Sequence, residues 1–345
     1  MQLMLEQLQA LLKKVSRTFA LNILYLPTPL VEAATLGYLL FRNIDTIEDA
    51  YQWSKEERIK ELERFIAVVK QANNLALVRE FTAKYKGEKR IENVYYLDLL
   101  YQTPFIMEQL LELQSEYPGY VKVITEYVVR MAKGMQYWVS CYDEHYCLTL
   151  QNLKQLQDYC YTAAGIVGEM LTTLFGFYLS DLEEERLLYL HTLEIDFATG
   201  LQLTNIIKNS LQDQNEGRRY LPAPFLPAGP GDTSDRIIPI FAYAYRYLIQ
   251  GIEYTTCLPV EEKGIRKFCL IPVILAGATL NHLLKHRSEL FTGEDLKISR
   301  LRVHKLLDQV DQVIDDNQQI REWWEQLTKP LKLASQQFTT TVCKT

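Results

Sequence analysis

The sequence predicts an all-α fold, and three observations carry that prediction. Apolar residues recur at spacings of three and four through ten segments, and no stretch of strand length alternates strictly. Glycine is sparse, 15 of 345 residues, and helix-start chemistry stands before several of the periodic segments. In order, the first segment, 6–13, is amphipathic, and the start around it lacks the basic region and small-residue cleavage site of a secretory leader. The next, 31–48, runs through the apolar stretch 33–41. Ser54 before Lys55-Glu56-Glu57 is a capping box that opens 55–71. Segment 95–114 follows, and Pro118-Gly119 breaks it from 121–141. Segment 150–178 comes next, and Ser180-Asp181 with Glu183 to Glu185 puts acids at the positive start of 182–207. Segments 236–251, 264–286 and 302–327 complete the set. Between them, 218–235 holds four prolines and two further glycines and cannot be helical throughout. Because similar helical patterns continue on both sides, this stretch is read as a loop on a single domain, 1–345.

Composition narrows the function. Hydrophobic residues make up 48% and charged residues 23%, enough for a full core. A net charge of -6 with a pI near 5.6 lacks the basic footprint of a nucleic-acid binder. Six cysteines are scattered without framework spacing, which fits a reduced, intracellular compartment. The longest apolar candidate, 270–280, contains Pro272 and falls short of the ~20 residues of a membrane span, so it is read as a buried helix. His282 and His286 stand one helical turn apart without a visible third ligand and are read as structural or surface residues.

Two polar patches interrupt otherwise apolar helices. In the first, Tyr38, Arg42, Asp45 and Asp49 fall at i, i+4, i+7 and i+11, one stripe carrying an aromatic, a cation and two acids. Like charges four apart repel, so a cation is their natural partner. A hard divalent ion such as Mg²⁺ takes one or two carboxylates and leaves room for phosphate oxygens. A solvated acidic helix end is the alternative reading. In the second, Asn205, Asn209 and Asp213 are spaced by four, with Gln202 near the same face. Buried amides need partners, which are each other, water or a ligand, unless this helix simply emerges into solvent. Just downstream, Arg218-Arg219-Tyr220 sets two guanidiniums suited to bidentate phosphate binding beside an aromatic. Ser16-Arg17-Thr18-Phe19 groups two hydroxyls, a cation and a ring. The small residues in 159–168 and in 131–135 read first as close helix packing and second as space for a ligand.

Taken together in order, these stretches resemble the squalene/phytoene synthase family. The matching residues are Ser16-Arg17-Thr18-Phe19, Arg42 to Asp49, Met131 to Met135, Tyr159 to Gly168 and Gln202 to Pro222, and Phe268 to Pro272 is similar to the squalene synthase branch. The resemblance implies an isoprenoid-synthase-type helical bundle with a central apolar cavity, the 218–235 loop lying near its mouth. It implies an enzyme that joins two farnesyl diphosphates head to head to presqualene diphosphate and reduces this to squalene, with Mg²⁺ and, for the reduction, NADPH as cofactors. On that resemblance Asp45, Asp49, Asn209 and Asp213 hold the metal, and Arg17, Arg42, Lys208 and Arg218 or Arg219 contact diphosphate. Tyr159 handles the proton or cation. Ser16, Phe19, Tyr38, Met135, Gln202 and Asn205 complete the substrate site, with Phe19 and Met135 lining the prenyl channel. The expected partners are a farnesyl or geranylgeranyl diphosphate and no nucleic acid, in a monomer or weak homodimer. With no hydrophobic tail before Thr345, a cytoplasmic protein with at most peripheral membrane contact is expected.

The chain departs from the family pattern at places that matter. Asn209 stands where the second motif usually has its first aspartate, Gln212 where an acid often precedes the last one, and Ala50 where squalene synthases carry another acid after Asp49. Segment 296–300 resembles the region that contacts NADPH, with Ser299 in place of a basic residue. These changes motivate a second reading, a repurposed relative that ionises one prenyl diphosphate for cyclisation or for transfer to another acceptor. A third is a binding protein that has lost catalysis, against which the intact Arg42, Asp45, Asp49 and Tyr159 speak.

Overall fold

Helix formation follows the apolar spacing closely, and side-chain caps set several of the boundaries. The computed structural model describes residues 2–16, 18–145, 147–226 and 235–342, which cluster into two units. The first unit, 1–146 with 170–182, begins with α1 (Gln2–Val15), α2 (Thr18–Ile23), α3 (Leu30–Glu48) and α4 (Lys55–Lys70). It continues with α5 (Leu75–Ala83), α6 (Val94–Tyr101), α7 (Thr103–Glu116) and α8 (Pro118–Ser140). Ser54 and Glu57 close the expected capping box at the start of α4. Helix α8 packs along both α3 and α4, and the α3 side chains Leu39, Leu40, Ile44 and Ile47 are fully buried there. Two buried charges in this unit find partners within it, although Arg58 Nε and Nη2 are buried without a hydrogen bond. Glu61 accepts hydrogen bonds from Tyr85 Oη at 2.7 Å and Arg64 Nη1 at 3.1 Å and pairs with Lys84. The Arg58 guanidinium lies 4.4 Å from the Tyr142 ring centre and donates to the Glu48 carbonyl at 2.9 Å.

The second unit, 147–169 with 183–345, holds β1 (Leu148–Thr149), α9 (Leu153–Cys160), a π-helical turn (Tyr161–Gly165) and the first residues of α10 (Ile166–Tyr178). There follow α11 (Glu184–Asn215), β2 (Arg218–Arg219), α12 (Ile238–Cys257) and α13 (Lys263–Lys285), then α14 (Arg300–Val313), α15 (Asn317–Leu327) and α16 (Lys329–Val342). Its centre is the long α11 laid against α12. The approach is close enough that a Cβ at Gly200 would lie 2.8 Å from the Leu248 backbone nitrogen. At the far end Arg266, fully buried, donates to the carbonyls of Ile314, Thr255 and Leu258 and to Asn317 Oδ1, tying α13 to the α14–α15 junction.

Where elements differ from the periodicity, local chemistry explains it. The run 95–114 is two helices, parted at Gln102 with Pro104 in the first turn of α7, where the missing N–H costs nothing. The run 302–327 is broken by Asp316, whose carboxylate caps the N–H groups of Gln318 and Gln319. Helices α2, α5 and α16 were not anticipated. Helix α5 has only nine residues, and its start is fixed by Asn74 Oδ1 accepting from Leu77 N–H at 3.2 Å. The two-residue parallel pair, Leu148 opposite Arg218 and Thr149 opposite Arg219, is too short to leave an alternation in the sequence. Two helical runs, Leu153–Tyr178 and Lys263–Lys285, reach the length and mean hydropathy of a membrane span, which corrects the expectation that none approaches it. In the second, 61% of the most apolar window is buried inside the fold.

The close approach of α11 and α12 generates a stability prediction. Gly200→Ala places a methyl against backbone that cannot swing aside, so a denaturant melt should show a loss of about 1–3 kcal/mol, the usual range for overpacking.

Candidate active site

In the first unit the stripe read from the sequence is the surface that α3 leaves open. From Ala33 to Asp49 every residue is buried except Tyr38, Arg42, Asp45 and Asp49. The helix runs out at this point: Asp49 is the residue after the last helical turn, and its N–H donates to the Asp45 carbonyl at 2.8 Å. Two carboxylates therefore stand at the negative end of the helix dipole, where a cation is favoured and an anion is not. Arg42 sits one turn back. Its Nη2 donates to Tyr38 Oη at 3.0 Å and its Nη1 pairs with Asp45 Oδ2 at 3.2 Å. The guanidinium lies 5.5 Å from the ring centres of both Tyr38 and Tyr96, while Arg42 Nε is buried without a hydrogen-bond partner.

Part of the Asp45 side chain, 29%, reaches solvent, yet the packing around its carboxyl withholds enough water to push it up to about 6, against the pull of Arg42 and with Asp49 adding to the shift. A carboxylate raised by desolvation and by a second carboxylate is a donor set that a hard divalent cation relieves. Mg²⁺ is held by one or two carboxylates and completes its shell with water and phosphate oxygens. Among the described residues no three His, Cys, Asp or Glu side chains converge on one point. Phe19 is partly exposed, 5.6 Å from the Tyr38 ring, and its N–H donates to Ser16 Oγ at 3.1 Å. Met135 is buried on α8. Arg17 lies outside the described residues.

In the second unit the polar stripe of α11 is likewise the open face. Asn205 and Lys208 are exposed and Gln202, Asn209 and Asp213 half-buried, whereas Leu203, Thr204, Ile206, Ile207 and Ser210 are buried. Arg218 pairs with Asp213 Oδ1 at 3.4 Å and with Glu216. Its side chain is only 11% exposed, and that of Asp213 14%. Lys208 is exposed along its length, yet the atoms crowded around its ammonium, and then Lys297, hold it below the usual lysine range, against the pull of Asp213. Cations thus gather around the end of the helix, as an anion site requires. The arginine strand is held in place by β1: Leu148 N–H donates to the Gly217 carbonyl at 2.8 Å and Leu150 N–H to that of Arg219 at 3.0 Å. The turn into the strand needs a positive φ of 79° at Gly217, which glycine adopts without strain. Arg219 is exposed.

Tyr159 is the last but one residue of α9, which runs through Cys160 into the π-helical turn, a feature that recurs at functional sites. It is buried, its hydroxyl donates to Tyr220 Oη at 2.8 Å, and the two rings stack with centres 4.4 Å apart. The small residues that follow serve packing, as their first reading held. A Cβ at Gly168 would lie 2.7 Å from the Glu194 carbonyl oxygen on α11. Ser299, where a base was expected for NADPH, is the N-cap of α14 and accepts from Arg302 N–H at 3.2 Å. Exposed Lys297, Arg300 and Arg302 around that helix start leave a cationic surface that suits phosphate groups.

Sequence reasoning missed Tyr96, which shares Arg42 with Tyr38 from a helix far along the chain, and Lys297 beside Lys208. It read Tyr220 only as a ring beside arginines. All three act through contacts between distant segments, and no local spacing signals them.

Comparison with known proteins agrees with this picture. The model of the squalene/phytoene synthase family matches residues 12–302. The squalene synthase of Schizosaccharomyces pombe is 26% identical over 282 residues, covering 78% of this chain and 57% of that protein. Squalene synthase ERG9 of Saccharomyces cerevisiae is 29% identical over 293 residues, covering 81% and 62%. The chain therefore spans about three fifths of the length of these relatives. Among solved structures, TcSQS in complex with the ligand BPH1237 superposes with a TM-score of 0.73 at 20% identity, covering 96% of this chain and 99% of that one. A dehydrosqualene synthase in complex with ligand gives 0.54 at 18%, covering 91% and 97%. Both share the helical fold found here. With 291 of its 345 residues inside one family model, the chain belongs to the squalene/phytoene synthase family.

Proposed function

We propose that this chain is a prenyltransferase that condenses two farnesyl diphosphates head to head, through presqualene diphosphate, to squalene. The observation that carries the reading is the open stripe of α3, where from Ala33 onward Tyr38, Arg42, Asp45 and Asp49 alone escape burial and end in a carboxylate pair. Family membership supports the reaction class. Asp45 and Asp49 would hold Mg²⁺ in the first unit, and Asn209 and Asp213 are the corresponding donors in the second. Bound Mg²⁺ supplies Lewis-acid stabilisation of the charge that gathers on a departing diphosphate.

The remaining work falls to the chain. Arg42, already anchored by Tyr38 and Asp45, presents a cation one turn from the carboxylates, and Arg218, Arg219 and Lys208 present three more. Arg17, by its place in the motif, joins them. Guanidiniums suit this task because their planar donors match phosphate oxygens in pairs. Loss of diphosphate leaves an allylic cation, and Tyr159, a buried phenol, is placed to steady that charge or accept a proton. Ser16, Phe19, Tyr38, Met135, Gln202 and Asn205 would shape the prenyl site. Reduction would use NADPH held at Lys297 and Arg300. A cytoplasmic, single-domain protein with peripheral membrane contact, monomeric or weakly dimeric, fits an enzyme with a water-soluble substrate and an apolar product.

Asn209 favours one second reading, ionisation of a single prenyl diphosphate for cyclisation or transfer. Incubating the purified protein with farnesyl or geranylgeranyl diphosphate and Mg²⁺, with and without NADPH, and analysing extracts by mass spectrometry separates the two. Squalene or presqualene diphosphate is the expected product, and a cyclic or transferred product would replace the first reading with the second. No diphosphate release above background would remove both.

Three predictions follow from the donor set. Asp45→Asn should lower Mg²⁺-dependent turnover by roughly a hundredfold or more, since removing a charge-stabilising partner in a buried site commonly costs that much; unchanged turnover would show that Asp45 holds no metal. Asn209→Asp should tighten Mg²⁺ binding in calorimetry, because a carboxylate replaces a neutral amide oxygen. The third concerns pH. With a native pKa of about 6 against an ordinary 3.8, folded protein holds the Asp45 proton more tightly than the unfolded chain does. Metal-free stability should therefore fall as pH rises from 4 to 6, and the Mg²⁺-induced rise in Tm should be larger at pH 7 than at pH 5. Asp45→Asn should flatten both trends.

A further inference from the structure

We propose that Tyr220 is a positioning residue that holds the Tyr159 hydroxyl and couples it to the arginine strand, so that Tyr159 is set in place as the diphosphate is gripped. The inference rests on the reading above in taking Arg218–Arg219 as diphosphate ligands and Tyr159 as the cation-handling phenol. Its own grounds are geometric. Tyr220 follows β2 directly, with no intervening residue to absorb movement. It holds Tyr159 in two ways at once, by the 2.8 Å hydroxyl contact and by ring stacking at 4.4 Å. Both side chains are buried, at 5% and 6% exposure, where such a contact is stronger than in water.

The connections on either side of the pair form a closed circuit. Strand β1 pairs with β2, and two residues past Leu150 the chain enters α9 through Asn152, whose side chain caps Gln155 N–H at 3.0 Å. Helix α9 ends with Tyr159 and Cys160. Strand β2 leads to Tyr220 on its other side. The two tyrosines therefore hang from one small ladder, and Arg218 fastens that ladder to Asp213 at the end of α11. An anion that draws on Arg218 and Arg219 pulls on the backbone that carries Tyr220. Phenylalanine at 220 would keep the stack and remove the hydroxyl link to Tyr159.

The test compares Tyr220→Phe in the wild-type and Tyr159→Phe backgrounds, with thermal melts to show that each variant folds. A positioning role predicts that Tyr220→Phe lowers kcat roughly ten- to a hundredfold, the scale of a slight misplacement of a reacting group, with KM for farnesyl diphosphate unchanged. In the Tyr159→Phe background the same change should cost nothing further, because Tyr220 acts only through Tyr159. Equal losses in both backgrounds, or a loss confined to KM, would overturn the proposal. A second readout does not need turnover. In protein with carbon-labelled tyrosine, the Tyr159 resonance should shift on adding inorganic pyrophosphate with Mg²⁺, and Tyr220→Phe should abolish that shift. If wild-type protein turns over no prenyl diphosphate but the shift is present and lost in the variant, the coupling stands and the assigned reaction falls. A shift that is absent, or that persists in Tyr220→Phe, overturns the coupling itself.

Discussion

Two carboxylates at the negative end of a helix buried on every other side are the constraint that organises the first unit. Asp45 and Asp49 repel each other, face the carbonyl end of α3 and lie beside a hydrophobic core that screens little. The protein tolerates them because Arg42 stands one turn away and because the stripe is left open. Arg42 in turn needs its own scaffold, which Tyr38 and Tyr96 provide through a hydrogen bond and two ring faces. The open stripe thus appears as one linked set in which each member is held by another, and an arriving cation would complete the set.

The second unit solves a related problem with the opposite sign. Cations are crowded around the end of α11, where desolvation and then the charge of Lys297 cost Lys208 part of its affinity for a proton. Asp213 and Glu216 hold Arg218 against that crowding, and the β1–β2 ladder fixes the backbone that carries both arginines. The fold itself thus fixes where the cations of this region stand.

Much of this was legible in the sequence, and the reason is periodicity. A helix repeats every 3.6 residues, so the Tyr38–Asp49 stripe and the Gln202–Asp213 stripe can be read without any coordinates, and both prove to be open faces of buried helices. Caps such as Ser54 with Glu57 are equally local. What was not legible depends on distant partners. The Tyr96 contact with Arg42, the register of Leu148 on Arg218 and the pairing of Tyr159 with Tyr220 join residues separated by 54 to 70 positions, and none leaves a spacing to read. Ser299 shows the converse: viewed only as a missing base it looked like a lost cofactor contact, whereas in the fold it starts a helix.

The π-helical turn from Tyr161 to Gly165 has a consequence for how this region tolerates change. A π turn carries one residue more than the α-helix it interrupts, and each helical residue advances the azimuth by about 100°. A π turn takes up its extra residue by widening, so deleting one residue there would restore a regular helix while the flanking turns kept nearly the same phase. Gly168 is locked against the Glu194 backbone on one side of the turn, and Tyr159 is held by Tyr220 on the other. The wide turn is therefore the part of this helix that can give, and a one-residue deletion within it should be borne more readily than one in the regular turns on either side.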